Sequence, residues 1–491
     1  MNSNKLTISR LSSGVPGLDP LLGGGLPEFS FNIIAGQPGT GKTTLAHQMM
    51  FTLATPQRKA LFFTVLGEPA LKMLRYQQQY GFFDMDKLDE AVRFVNLGEE
   101  VLSGDFARVL ARIVQEFESF EPAYVFVDSF RSVTQVAGAH GQNSALQSFV
   151  QHLGIMMTSW QATTFLIGEY NLHDSEAHPV FTIADGILML QQSLTQNSVV
   201  RKIQVSKMRG QATVAGLHTF RISSDGIQVF PRTLPVGAHD RAAHVPKAAK
   251  RPVLSMGVPA LDEMMGGGLP SGYSLLIAGP SGSGKSLLST SFLVEGARCG
   301  EKGVVAAFEM GPGQTHNPRL EKLIAGGDVS VVDTRALDLS IDETLYALTE
   351  MIQATGATRV VIDSLSGFEL SLAPAFREDF RESLHRMVAV LTALGATVLM
   401  VCELEDRYTD LRFSPYGAAF LTDAIIVQRY VELEGELQRV MAVVKVRNSP
   451  HSHALRLYEI NDAGYVIGEP RPEIDALLTG HPRPTSAPAS S

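Results

Sequence analysis

Residues Gly36–Thr43 read GQPGTGKT, and Gly279–Ser286 read GPSGSGKS. Both satisfy G-x-x-x-x-G-K-[ST], a pattern with a physical purpose. Its glycines accept turn conformations that side chains resist, so successive N–H groups point inward at an anion. The helix expected next adds the positive end of its dipole. In the first copy Gly36, Gly39, Thr40, Gly41, Lys42, Thr43 and Thr44 form the candidate phosphate cradle. In the second it is Gly279, Gly282, Ser283, Gly284, Lys285, Ser286 and Leu287. Lys42 and Lys285 are placed to neutralise β- and γ-phosphates, and Thr43 and Ser286 to offer a hydroxyl to Mg²⁺. ATP and Mg²⁺ are the expected ligands.

Working outward, each motif follows an apolar run and precedes a helical one. Strands are predicted at Phe31–Ala35, Ala60–Val65, Tyr124–Val127, Thr163–Ile167 and Gly186–Leu190, and again at Ser274–Ala278, Gly303–Phe308, Arg359–Ile362, Thr397–Val401 and Ala424–Val427. Short, uniformly apolar runs fit strands buried on both faces. Leu45–Leu53 and Phe380–Leu394 fit helices packed on the sheet. The fold class is α/β, a mostly parallel sheet flanked by helices, present twice.

The duplication is direct. SSGVPGLDPLLGGGLP returns as LSMGVPALDEMMGGGLP, and Leu18/Leu261, Gly25/Gly268 and Lys42/Lys285 all differ by 243. So long a period means a repeated domain, not a solenoid unit. We expect domain 1 at 1–232, a linker at 233–249, domain 2 at 250–470 and an unstructured tail at 471–491. The Pro- and Ala-rich stretch between the copies and the closing TSAPASS motivate the last two.

Composition narrows the function. The 491 residues are 45% hydrophobic and 19% charged, as in ordinary globular chains. A net charge of −9 disfavours a nucleic-acid-coating surface. Two cysteines, Cys299 and Cys402, supply no disulfide framework and suit a reducing compartment. The opening MNSNKLTISR has no apolar leader, and no run reaches the ~18 apolar residues of a membrane span. A cytoplasmic location is expected.

Acidic partners for the loops follow in each copy. YVFVDS ends at Asp128 and Ser129 and RVVIDS at Asp363 and Ser364, each aspartate at a strand tip where a carboxylate joins a Mg²⁺ shell. Taken alone, a strand-end Asp more often caps a turn; here it recurs after each loop. Glu309 closes VVAAFE, 24 residues after Lys285, and fits a general base for water. In the first copy that position is Leu66, and the nearest carboxylate is Glu68. A two-residue slip moves a group by about 7 Å, so the first site is expected to turn nucleotide over poorly.

The doubled motif, the GGGLP lead-in and the strand-tip acids together resemble the KaiC family of tandem RecA-like P-loop ATPases, from about Ser12 to Gly468. The resemblance implies a homohexamer with ATP between subunits and nucleotide-driven signalling to a KaiB-like or other protein partner; slow hydrolysis is expected from the incomplete acid sets. It implies that Lys207 and Arg209 of VSKMRG, and Lys445 and Arg447 of VVKVRN, reach the γ-phosphate held by the neighbouring subunit. Spacing of two would put both cations on one strand face; the plain alternative is a solvated basic face. The family's catalytic Glu pair is Glu309-Met310 in the second copy and Leu66-Gly67 or Gly67-Glu68 in the first. Its Ser-Thr phosphoacceptor pair is Ala419-Phe420, which carries no hydroxyl, before Leu421-Thr422-Asp423. A serine/threonine autokinase using Thr422 or Ser414 is the alternative, and a DNA-handling ATPase a more distant one.

Overall fold

The computed structural model describes residues 8–65, 70–133, 143–170, 179–195, 198–232, 251–308, 317–332, 339–404, 422–433, 435–462, 464–470, 474–475 and 483–484. The chain divides into two compact units, Met1–Thr233 and Leu234–Ser491.

In the first unit the main strands are β1 (Phe31–Gly36), β2 (Ala60–Thr64), β3 (Val92–Asn96), β4 (Tyr124–Asp128), β5 (Thr163–Glu169), β6 (Gly186–Thr195), β7 (Ser198–Met208), β8 (His218–Ser223) and β9 (Gly226–Phe230). They form one sheet in the order β3-β2-β4-β5-β1-β6-β7-β8-β9. The pairs from β3 through β6 are parallel, and those from β6 to β9 antiparallel. The second unit repeats the plan with β10 (Ser274–Gly279), β11 (Gly303–Ala307), β12 (Val329–Val332), β13 (Arg359–Asp363), β14 (Thr397–Glu403), β15 (Ala424–Leu433), β16 (Glu436–Val446), β17 (Arg456–Asn461) and β18 (Gly464–Ile467). Its order is β12-β11-β13-β14-β10-β15-β16-β17-β18, the same topology strand for strand.

Each predicted strand is present, and the sheet is wider than predicted. Along β1, Ile33 joins one buried cluster and Ile34 the other. Alternation across the pleat therefore feeds two cores, one per face, which is why these strands read as unbroken apolar runs. The antiparallel wing escapes that signal because its strands are only half buried, as in Ser198–Met208.

Helices cover both faces. α1 (Lys42–Leu53) follows the first loop and buries Leu45, Ala46, His47, Met49, Met50 and Phe51. α2 (Ala70–Gln77) lies beyond β2. In α3 (Phe106–Phe120), Val109, Ile113 and Phe117 repeat every four residues on the buried stripe. Its N-cap Asp105 accepts from the amides of Ala107 and Arg108. α4 (Pro179–Ile183) leads into β6, and in the second unit α5 (Lys285–Arg298) follows the second loop.

The interdomain stretch 233–250 lies outside the described residues. In the segment expected to be unstructured, Ile474–Asp475 pairs antiparallel with Arg483–Pro484. Such a short ladder needs no buried core, so composition does not register it.

Candidate functional site: two phosphate loops

Each loop leaves the carboxyl end of the central strand of its sheet and runs straight into a helix. Gly41 and Gly284 cap those helices at φ of 99° and 101°. Space demands glycine there as well. A Cβ on Gly41 would meet Ile222 Cδ1 at 2.7 Å, and one on Gly284 would meet Ile460 Cδ1 at 2.4 Å. At Gly39, with φ of 77° and open surroundings, backbone conformation alone requires it.

The two lysines behave alike. Lys42 Nζ donates to the carbonyl of Gln37 at 2.9 Å, and Lys285 Nζ to that of Pro280 at 2.7 Å. Both are buried beneath their loops. Burial pulls the Lys42 ammonium below its ordinary pKa, against the opposing charges of Glu169 and Asp128. Thr43 Oγ1 donates to Asp128 Oδ2 at 2.7 Å. Burial raises Asp128 above the ordinary Asp value of 3.8, with the Thr43 hydrogen bond and Lys42 pulling the other way. The peptide bonds Asp128–Ser129 and Asp363–Ser364 are both cis.

A cavity of about 670 Å³ opens over the first loop, lined by Gly39, Gly41, Lys42, Thr43, Thr44 and Asp128 together with Glu169 and Arg201. Over the second loop a cavity of about 280 Å³ is lined by Gly282, Gly284, Lys285, Ser286, Leu287, Asp363 and Glu403. The donor set suits Mg²⁺: a hydroxyl and a carboxylate, both hard oxygens, beside a phosphate cradle. Among the described residues no group of three or more His, Cys, Asp or Glu side chains could hold an ion. A cation that keeps several of its waters, as Mg²⁺ does, fits that sparse shell.

Sequence reasoning missed Glu169 and Glu403. Each ends the strand beside the loop strand, opposite Gly36 and Gly279 in register. The available signal was recurrence: Glu169 follows Asp128 by 41 residues, and Glu403 follows Asp363 by 40. Glu68 and Glu309 lie outside the described residues, as do Ser414, Ala419 and Phe420. Thr422 is described and fully buried.

The four finger candidates stand away from their own loops. Lys207 pairs with Ile187, which aligns with Ile33, whereas the loop departs from Gly36 opposite Leu190. Three residues of strand separate them by ~10 Å. None of Lys207, Arg209, Lys445 and Arg447 lines the cavity of its own unit. Lys207 Nζ and Arg209 Nη2 both donate to the Thr182 carbonyl, at 3.3 and 3.2 Å, so the two cations lie on one side of the chain. Arg209 and Arg447 fall one residue past the ends of β7 and β16, and bulges at Ser206 and Val444 interrupt the alternation just before each lysine, upstream of both cations of each pair. Lys207 Nζ donates to the carbonyls of Phe181 and Thr182 at 3.2 and 3.3 Å, and Lys445 Nζ to that of Thr422 at 2.5 Å. Arg209 pairs with Asp185 at 3.1 Å and Arg447 with Asp423 at 3.0 Å.

Comparison with known proteins agrees with this geometry. A family model described as "ATPase: KaiC" matches residues 11–234 and 254–471. The chain is similar to the circadian clock oscillator protein KaiC of Rippkaea orientalis, at 25% identity over 98% of this chain and 94% of that protein. It is also similar to the circadian clock protein KaiC3 of Synechocystis sp., at 26% identity over 98% and 95%. KaiC of Picosynechococcus sp. is 24% identical over 97% of this chain and 92% of its own length. Two copies of one nucleotide-binding sheet, each with its loop, strand-tip aspartate and displaced cation pair, account for a match across both halves: this chain belongs to the KaiC ATPase family.

Proposed function

We propose that the protein is a homohexamer that binds ATP with Mg²⁺ at both loops, hydrolyses it slowly, and signals to a protein partner through the nucleotide-driven change. Lys42 and Lys285 neutralise the β- and γ-phosphates. Thr43 with Asp128, and Ser286 with Asp363, would hold Mg²⁺, whose chemistry is to withdraw charge from the phosphates. Glu309 orients and deprotonates the attacking water in the second site, and Glu68 is its weaker counterpart in the first. The observation that carries the reading is the remoteness of the cation pairs from their own cavities. Groups built alike in both units, yet out of reach of their own phosphates, suit a site shared between subunits, with Lys207, Arg209, Lys445 and Arg447 acting on a neighbour's nucleotide.

Hydrolysis ranks ahead of autophosphorylation because Thr422 is fully buried. Among the described residues no helix is long and apolar enough to cross a membrane, consistent with action in the cytoplasm. The test is native mass measurement with and without ATP, then phosphosite mapping and turnover assays on the same sample. Expected are ATP-dependent hexamers, no phosphate on Thr422, and a larger loss of turnover in Glu309→Gln than in Lys42→Ala. Full activity in Glu309→Gln with none in Lys42→Ala would reverse the assignment of the stronger site.

A further inference from the structure

We propose that Asp185 and Asp423 are positioning residues that hold the arginine of the trans-acting pair and tether it to the strand feeding the chain's own phosphate loop. The inference rests on the intersubunit role proposed above.

Each aspartate divides its carboxylate between two elements. Asp185 Oδ2 accepts from the amide of Phe31 at 3.0 Å, while Oδ1 accepts from Arg209 Nη1 at 3.1 Å. Its main chain repeats the bridge: its N–H donates to the Phe31 carbonyl at 2.7 Å, and its carbonyl accepts from the Arg209 amide at 2.9 Å. Asp423 does the same. Its Oδ2 accepts from the amide and the hydroxyl of Ser274, both at 3.1 Å, and Oδ1 accepts from Arg447 Nη1 at 3.0 Å. Its N–H donates to the Ser274 carbonyl at 3.0 Å, and its carbonyl accepts from the Arg447 amide at 2.8 Å.

Phe31 and Ser274 are the first residues of β1 and β10, which run directly into Gly36 and Gly279. One continuous path therefore leads from loop to strand, to aspartate, to arginine, and it is built twice. An exposed Arg–Asp pair by itself contributes little, because two mobile side chains must be ordered. Here the carboxylate is already fixed by the strand amide, so only the guanidinium needs ordering. A fixed guanidinium is what a group completing a distant site requires.

The experiment uses the full-length chain with Asp423→Asn, Arg447→Ala, Arg447→Lys and the Asn/Lys double variant. Asn keeps an acceptor for the Ser274 amide but no ionic hold. Expected is a fall in kcat of about tenfold for Asp423→Asn, with ATP KM and melting temperature unchanged. The double variant should lose little more than Arg447→Lys alone, since the two residues act as one unit. Ser274→Ala, which removes a single donor to Asp423, should lower kcat in the same direction by less and guards against misfolding of the Asn variant. If Arg447→Ala leaves kcat intact, the intersubunit reading itself fails. If Arg447→Ala lowers kcat but Asp423→Asn and Ser274→Ala do not, or if the losses multiply, the positioning role is overturned. A rise in kcat would make the aspartate a restraining latch and overturn it equally.

Discussion

The phenolic hydroxyl of Tyr465 donates to the carbonyl of Gly284 at 2.6 Å and ties the second phosphate loop to β18. Gln428 Nε2 donates to the same hydroxyl at 3.1 Å, Ser283 Oγ donates to Gln428 Oε1 at 3.0 Å, and Tyr458 donates to the Ser283 carbonyl at 2.7 Å. The first loop has no such polar grip at the matching positions, where Gly41 packs on Ile222 and Ile227. Tyr465→Phe leaves Gln428 short of an acceptor in a buried network, a loss of about 2 kcal/mol. We expect weaker nucleotide binding at the second loop and none of this effect at the first, read by two-site calorimetry.

Glu169 and Glu403 line the cavity over each loop from the strand next to it. Removing a carboxylate that orients water or its ion costs on the order of 10²-fold in rate. Glu403→Gln should therefore lower kcat strongly with ATP affinity retained, and Glu169→Gln should lower the residual turnover of a Lys285→Ala protein. Unchanged kcat in both would assign these groups to folding alone.

The first site should lose its cation early as pH falls. Burial raises Asp128 above 3.8, so its carboxylate takes up a proton at higher pH than an ordinary Asp. The Mg²⁺-dependent part of nucleotide binding should then weaken on acidification before solvent-exposed carboxylates titrate. Calorimetry across pH with and without Mg²⁺ measures it, and Asp128→Asn should erase the Mg²⁺ dependence at every pH.

His47 sets a separate acid limit on the first unit. It is fully buried with its ring centroid 4.6 Å from that of Phe62 and 6.0 Å from that of Phe94. Burial pushes its pKa from 6.5 down to about 4, against a smaller upward pull from Gln77. Between those values the unfolded chain binds the extra proton. The contribution is therefore whole above pH 6.5 and lost as pH falls through 4, about 3 kcal/mol in all. His47→Leu should flatten that limb of the acid-unfolding curve.

The loops, the strand-tip aspartates and the parallel strands inside each sheet's edge were legible because each is written in consecutive residues. A motif announces Lys42 and Thr43, and an unbroken apolar run announces Tyr124–Asp128. What stayed hidden depends on register. No local pattern says that Glu169 comes to rest opposite Gly36, or that Lys207 stands beside Ile187 and so away from its own loop. The strands Val92–Asn96 and Val329–Val332 lie at sheet edges with partly exposed middles, which weakens the buried-strand signal. The bulges at Ser206 and Val444 leave no mark at all in composition.

Those bulges make the ladder odd where an even one would be simpler to build. Deleting Val444 would restore uninterrupted alternation along β16 while leaving Val443 opposite Ile426 and Lys445 opposite Ile425. The contact of Val444 with the second unit's buried cluster would be forfeited, and with it the extra local twist that a bulge brings just before Lys445 turns to the Thr422 carbonyl. A single inserted peptide unit thus sets the angle at which the basic arm leaves the ribbon.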